Sequence, residues 1–329
     1  MAYKIGLIGA GRIGRVHAAS IAANPRAQLV CVVDQIAAAA ESVAKQYGAR
    51  AGTLESALAP GIDAVMICSA TNTHADLIEQ AAAAGKAIFC EKPLDLDVAR
   101  ARACAERASD AGVPLLVGFN RRFDPHFAQL KARIDAGVVG AVEMVHLTSR
   151  DPGPPPVEYV RVSGGLFRDM TIHDFDMARW LLGEEPVEVS AAASVLVNDM
   201  FKECGDVDSA LVTLRTASGR LCVISNSRRA SYGYDQRIEV HGSMGMVCAG
   251  NERDDLVEVW DGGGSHGSKV KNFFLERYTT AYRSELNHFL DVIELGARPL
   301  VGAADGVQAL VLAEAALKSL RESRVVKIA

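Results

Sequence analysis

Apolar positions in the first third of the chain come in blocks. Five short, almost wholly apolar runs, "YKIGLIG", "AQLVCVVD", "GIDAVMICS", "AIFCEKP" and "VPLLVGF", are separated by segments rich in helix formers. Those segments run from Arg12 to the Asn24-Pro25 stop, then "IAAAAESVAKQYG", "THADLIEQAAAAGK" closed by Gly85, and "LDVARARACAERASDAG". A strand with no polar face needs cover on both sides, and regular alternation with helices supplies it. The pattern therefore predicts a parallel sheet between two helix layers.

The pattern changes near residue 120. A helix over "PHFAQLKARIDAG" and a strand over "AVEMVHLTS" lead into a proline-rich stretch, "RDPGPPPVEY", expected as a stiff wall or subunit contact. A helix carrying "RDMTIHDFD" follows. Residues 186–260 read mostly as strands, with hairpin breaks at Ser218-Gly219 and Gly242-Ser243. In "RLCVIS" both alternating faces are apolar, so this sheet should be covered by its own helices on one side and by a second subunit on the other. "DGGGSHGSK" at 261–269 reads as a flexible loop by composition. Helices near 279–295 and 303–321 close the chain, and no internal repeat is visible.

Composition narrows the class. With 49% hydrophobic and 23% charged residues and a net charge of −5, the chain fits a soluble globular protein. Clustered positive charge, the footprint of a nucleic-acid partner, is missing: the pairs Arg121/Arg122 and Arg228/Arg229 are too short. The apolar start runs straight into a glycine pattern without a basic leader region, and no run approaches the ~18 apolar residues of a membrane span. Seven scattered cysteines without a C-x-x-C pair argue for reduced thiols and a cytoplasmic location. No metal-binding spacing is present.

Candidate chemistry starts at Gly9-Ala10-Gly11-Arg12-Ile13-Gly14, a G-x-G-x-x-G between the first strand and the first helix. Asp34 ends the second strand, 20 residues beyond Gly14. In that context Gly9 permits the tight turn, Gly11 lets backbone approach a pyrophosphate, and Gly14 lets the helix pack on its strand. The helix start, with Arg12 and Ile13, then faces the phosphates. Asp34 should accept hydrogen bonds from the ribose hydroxyls, or else cap the next helix. No arginine follows it, so NAD is preferred over NADP. The loop after the third long apolar run offers Ser69, Thr71, Asn72 and His74 to the cofactor, although for His74 a helix cap or a plain surface role is the favoured reading.

Glu91 and Lys92 leave the sheet at the carboxyl end of their strand, where such sheets bind ligands; a surface Glu–Lys pair would look the same. Placed on a regular helix at roughly 100° per residue, Asp169, His173 and Asp176 form one narrow polar stripe, and Asp174 points elsewhere. A solvated helix face would have that stripe too. Trp180 on the same stripe argues instead for a cleft.

Together GAGRIG, Asp34, the EKP tripeptide and a downstream D-x-x-x-H resemble the Gfo/Idh/MocA family of nicotinamide-dependent sugar dehydrogenases. "GFNRRFDPHF" and "GGLFRDMTIHDFDMARWLLG" resemble its inositol 2-dehydrogenase branch most closely. The likeness runs from residue 4 to about 245, and more loosely to the end. It implies an α/β protein with an N-terminal Rossmann NAD-binding domain over residues 1–120. A C-terminal α/β domain over 121–329, with an open, largely antiparallel sheet, would bind substrate and hold a homotetramer together. It implies Lys92, Asp169 and His173 as the catalytic set, with Lys92 and Glu91 also near the cofactor. Arg121, Asp176, Tyr232 and Tyr234 are the implied further substrate contacts. The two tyrosines, two apart, would share a face if they lay on a strand. The implied reaction is oxidation of a ring hydroxyl of a cyclitol such as myo-inositol to a ketone, with hydride passing to NAD and His173 as base. The alternatives are scyllo-inositol or a pyranose by the same chemistry, a non-catalytic NAD-binding regulator, and an NAD-dependent glycosidase.

Overall fold

The computed structural model describes residues 2–328. The chain separates into two compact units, Met1–Phe123 with Thr280–Leu310, and Asp124–Thr279 with Val311–Ala329. The first crossing falls between Phe123 and Asp124. The C-terminal portion is divided: 280–310 belongs with the first unit, which the apolar faces of its helices gave no means of foreseeing.

In the first unit the strands are β1 (Tyr3–Ile8), β2 (Ala27–Val33), β3 (Arg50–Ala51), β4 (Ala64–Ile67), β5 (Ala87–Glu91) and β6 (Leu115–Gly118). They form one parallel sheet in the order β3-β2-β1-β4-β5-β6, the order of dinucleotide-binding sheets. The residues of β4, β5 and β6 are all buried, which is why those runs are apolar except for Glu91 at the end of β5. The intervening helices are α1 (Arg12–Ala22), α2 (Ala37–Tyr47), the short α3 (Leu54–Ala57), α4 (His74–Ala83) and α5 (Val98–Asp110). The strand order reverses between β1 and β4, and ligands of such sheets bind at the carboxyl ends on either side of that reversal.

In the second unit α6 (Pro125–Asp135) starts on a Pro at its first turn, with Asp124 accepting N–H bonds as its cap. Then come β7 (Val142–Arg150), α7 (Val157–Val160), a π-helical turn (Phe167–Thr171) and α8 (Ile172–Leu182). After β8 (Pro186–Ser194) and α9 (Met200–Glu203) follow β9 (Ser209–Thr216), β10 (Leu221–Ser227), β11 (Asp235–Gly242) and β12 (Gly245–Ala249). These strands, with β15 (Val326–Lys327) at one edge, form a seven-stranded sheet ordered β12-β11-β7-β10-β9-β8-β15. It is antiparallel except for the pair β7–β10. Both expected hairpin breaks fall between paired strands.

Helix α8 lies against β7 and β10, and the buried side chains Val145, Leu147, Cys222 and Ile224 alternate along those strands. The other face of the sheet carries Met144, Leu211, Leu221 and Met246, all exposed.

Two expectations are corrected. The stretch 261–269 is not a structureless loop: β13 (Glu258–Asp261) and β14 (Gly264–Gly267) pair as an antiparallel hairpin. Every residue of both strands is exposed, so no apolar alternation marked them. The segment from Arg168 is also not a regular α-helix, because its first turn is π-helical. The chain closes with α10 (Phe274–Arg277), α11 (Thr279–Leu295) and α12 (Ala303–Glu322), the last two where expected. Among the described residues no helix is long and apolar enough to cross a membrane.

Candidate active site

The glycine turn between β1 and α1 divides its glycines by task. Gly9 has φ +103°, and a Cβ there would stand 2.4 Å from the carbonyl of Cys68 at the end of β4. A Cβ on Gly14 would stand 2.0 Å from the carbonyl oxygen of Gly9. These two glycines let the turn, the helix and the neighbouring strand close up. Gly11 is different. It is the N-cap of α1, has no side-chain cap, and has nothing within 4 Å of where a Cβ would be. That open space lies over the first turn of a helix, whose N–H groups have no intrahelical acceptors. The turn therefore fits a pyrophosphate by shape and by polarity. Arg12 is exposed and Ile13 half-buried there.

Asp34 accepts from Ala10 N at 2.7 Å and from Ile36 N at 2.8 Å, so it is tied to the same turn. It does not cap α2, whose N-cap is Ile36. A carboxylate has about four acceptor positions, so capacity for ribose hydroxyls remains. Across the strand reversal, Thr71 and Asn72 lie in a short 3₁₀ turn after β4, and Ser69 shares a 2.7 Å hydroxyl contact with Thr73.

His74 is neither a surface residue nor a side-chain cap. It is buried, with Nδ1 2.7 Å from the carbonyl of Pro93 and Nε2 3.1 Å from that of Ser69. Burial lowers its pKa against the pull of those carbonyls, so the neutral ring with one N–H is favoured. His74 thus braces the loop after β4 against the loop after β5. Its burial came from the fold and had no local signal.

Glu91 and Lys92 end β5. Glu91 is buried and meets His17 Nε2 at 2.6 Å, and Lys92 is half-buried. The Lys92–Pro93 bond is cis. Arg121 is buried in the 3₁₀ turn Asn120–Phe123 after β6. All the expected cofactor residues therefore gather at the carboxyl edge of one sheet.

The second unit holds Asp169, His173 and Asp176 on one continuous helical stretch. Asp169 sits in the π turn, where one oxygen accepts from Tyr159 Oη and the other from Arg228 Nη2, both at 2.7 Å. Arg228 also donates to Asp151 at 2.9 Å. Burial alone would lower the pKa of Arg228, but Asp169 and Asp151 outweigh it and hold it up. Asp206 accepts from Leu166 N at 3.0 Å and so anchors the start of the π turn. Burial raises its pKa despite that bond.

Asp174 points away from the stripe and into the sheet. It accepts from Ser149 Oγ on β7 and from Asn226 Nδ2 on β10, the latter at 2.8 Å. His173 and Trp180 are the half-buried residues of α8, whereas Asp176 is 0% exposed. Lys131 lies 5.8 Å over the Trp180 ring.

The tyrosines do not share a strand face. They precede β11, and Gly233 between them has φ +122°, which turns the chain. Tyr232 is 50% exposed and donates to Asp235 at 2.6 Å, with Arg150 donating to its oxygen at 3.2 Å. Tyr234 is buried with its ring edge-on to Tyr278.

Two family models match this chain. "Oxidoreductase family, NAD-binding Rossmann fold" matches residues 3–119, and "GFO/IDH/MocA C-terminal domain" matches residues 127–248. The chain belongs to the GFO/IDH/MocA oxidoreductase family. An inositol 2-dehydrogenase of Rhizobium meliloti is 55% identical over the whole of both chains. The solved myo-inositol dehydrogenase of Corynebacterium glutamicum superposes with a TM-score of 0.95 at 43% identity, over 100% of this chain and 99% of that one. The scyllo-inositol dehydrogenase of Lactobacillus casei, solved with NAD(H) and scyllo-inositol, gives a TM-score of 0.93 at 27% identity, over 99% of each chain. As a GFO/IDH/MocA oxidoreductase the chain carries an NAD-binding Rossmann domain, and the open turn at Gly11 is where its residues fit the cofactor.

The residues that sequence reasoning missed are Tyr159, Asp151 and Arg228 around Asp169, and His17 beside Glu91. Arg228 carried a faint signal as half of an arginine pair, but its partners lie 59 and 77 positions away.

Proposed function

We propose that this chain is an NAD-dependent inositol 2-dehydrogenase, oxidising a ring hydroxyl of myo-inositol to the 2-keto inosose. The full-length likeness to relatives named for that reaction carries this reading. The open glycine turn, and a histidine and an aspartate held on one helical stretch, support it.

NAD supplies the two-electron acceptor when bound. His173 takes the hydroxyl proton as the carbon gives up hydride, a task suited to an imidazole whose ordinary pKa is near neutral. Lys92 donates to the same oxygen and stabilises the negative charge that develops on it. Asp169 orients the imidazole or binds the hydroxyl together with Lys92. Tyr159 and Arg228 each donate to it, one to each oxygen, and fix the carboxylate's orientation. This reading assigns Arg121, Asp176, Tyr232 and Tyr234 as the further substrate contacts, of which Tyr232 is exposed and the other three are buried. Ser69, Thr71, Asn72 and the buried His74 shape the cofactor side opposite the glycine turn.

We also assign the chain to a homotetramer in the cytoplasm. The exposed apolar face with Met144, Leu211, Leu221 and Met246 supports self-association, and seven free cysteines support a reducing compartment. Sedimentation at micromolar concentration should give the tetramer, and a monomer would contradict it.

The test of function is NADH formation from NAD with myo-inositol, scyllo-inositol and glucose in parallel, and with NADP in place of NAD. Turnover should be strongest with myo-inositol and NAD. Turnover on scyllo-inositol alone, the ligand of the Lactobacillus casei structure, would keep the chemistry and move the substrate. Binding of NAD without turnover on any polyol would refute the dehydrogenase reading.

A further inference from the structure

We propose that His17 is a positioning residue for Lys92. It holds Glu91, and through Glu91 the end of β5, in fixed register with the helix that starts at the glycine turn. The proposal rests on the reading of Lys92 given above.

His17 lies on α1, a short way past Gly14, and is 0% exposed. Its Nε2 is 2.6 Å from Glu91 Oε1, a distance that requires a proton between the two atoms. Its Nδ1 is also buried and meets no hydrogen-bonding atom among the described residues. A proton on Nδ1 would be a buried donor with nothing to bond, so the imidazole proton belongs on Nε2, directed at Glu91. The ring cannot easily turn away. It is edge-on to Phe89 on β5, with centroids 4.8 Å apart, and to Tyr282 on α11, at 5.6 Å.

Two further features fit this one contact. Gly118 on β6 sits directly beside Glu91 in the sheet register, and a Cβ there would come within 3.0 Å of Glu91 Oε2. The sheet leaves room for this carboxyl by having no side chain opposite it. Glu285 on α11 is 0% exposed, and both its oxygens are without a hydrogen-bond partner. Burial, and then the charge of Glu91, hold Glu285 in its protonated form.

The consequence is mechanical. Lys92 is the next residue after Glu91, and α1 carries the turn that fits the cofactor's phosphates. A link between α1 and Glu91 sets where Lys92 stands relative to that turn, and small misplacements of a reacting group are expensive in rate.

The experiment uses the full chain with His17→Phe, which fills the space without the donor, and His17→Gln, which restores an N–H. His17→Phe should lower kcat on myo-inositol by about ten- to a hundredfold. Calorimetric affinity for NAD should stay within about threefold, since the phosphate turn is untouched. His17→Gln should recover most of the kcat. A kcat for His17→Phe near wild type would overturn the proposal. So would a His17→Gln variant as slow as His17→Phe, since shape alone would then matter.

Imidazole NMR of the wild-type chain gives a readout independent of turnover and of variant folding. His17 should show a slowly exchanging Nε2–H that disappears in Glu91→Ala. An Nδ1–H tautomer would overturn the proposal. If Lys92→Ala kept full turnover, the reading of Lys92 would fail even with that NMR signal present. Loss of turnover in Lys92→Ala beside a fully active His17→Phe would fail the positioning proposal alone.

Discussion

Replacing Gly11 by Ala should separate folding from cofactor binding. The backbone at Gly11 has φ −70° and ψ −165°, an extended conformation that alanine adopts without strain. No atom lies within 4 Å of the added Cβ. A Gly-to-Ala change at a compatible position stabilises by roughly 0.4–1 kcal/mol through the unfolded chain. Alanine is the poorer N-cap, which offsets part of that gain. Stability should therefore stay within about 1 kcal/mol of wild type. The methyl group would occupy the space through which a phosphate reaches the helix N–H groups. Loss of one charge-assisted hydrogen bond is worth about 1.5–3 kcal/mol, or roughly a ten- to hundredfold rise in the Kd for NAD. Gly14→Ala is the contrasting variant. Its Cβ would stand 2.0 Å from a backbone oxygen, so the turn must shift, and stability should fall by about 1–3 kcal/mol. Denaturant unfolding and calorimetric NAD titration measure both quantities. Wild-type affinity in Gly11→Ala would refute the assignment of the phosphate cradle. Stability losses of equal size in the two variants would refute the division of labour among the glycines.

Other tests address single groups. Glu285 is protonated in the folded chain where an unfolded glutamate has lost its proton, so unfolding releases a proton and stability falls as pH rises above the ordinary carboxyl range. The slope reaches about 1.4 kcal/mol per pH unit until the folded pKa is passed, and Glu285→Gln should flatten it in a Tm-against-pH series. An unchanged slope would show that Glu285 is ionised. Asp174→Ala removes the buried carboxylate that Ser149 Oγ and Asn226 Nδ2 share, leaving them only longer contacts to Gln236 and to the Ser149 carbonyl, and should cost about 1–3 kcal/mol by denaturant midpoint, against no loss if Asp174 faced water. His173→Ala should keep NAD affinity and lose most of kcat, and unchanged turnover would remove His173 as the base.

What could be read from the chain depended on whether its cause was local. The runs of β4, β5 and β6 are buried on both faces, so their apolar character announced a covered parallel sheet. The glycine turn was legible because Gly9 and Gly14 answer local backbone demands, and Gly11 stands between them at the start of the helix. The hairpin β13–β14 was not, since all its residues face solvent and leave no period. The π turn at Asp169 was also hidden, because side-chain periodicity assumes one helix type throughout. Even so, the separation of Asp174 from Asp169 and Asp176 follows the helical angles. Asp174 turns into the sheet to Ser149 and Asn226, whereas Asp169 accepts from Tyr159 and Arg228. His17, His74 and Glu285 carry no local signal of burial. Only the packing of α1, α4 and α11 in the first unit made them buried.

The most direct measurement follows the transferred hydrogen. The wild-type protein is mixed with NAD and myo-inositol carrying deuterium at C2, and the reduced cofactor is analysed by mass. The account expects deuterium on the nicotinamide and a keto group at C2 of the product. Reduced cofactor without the label, or no reduced cofactor while NAD is bound, would contradict it.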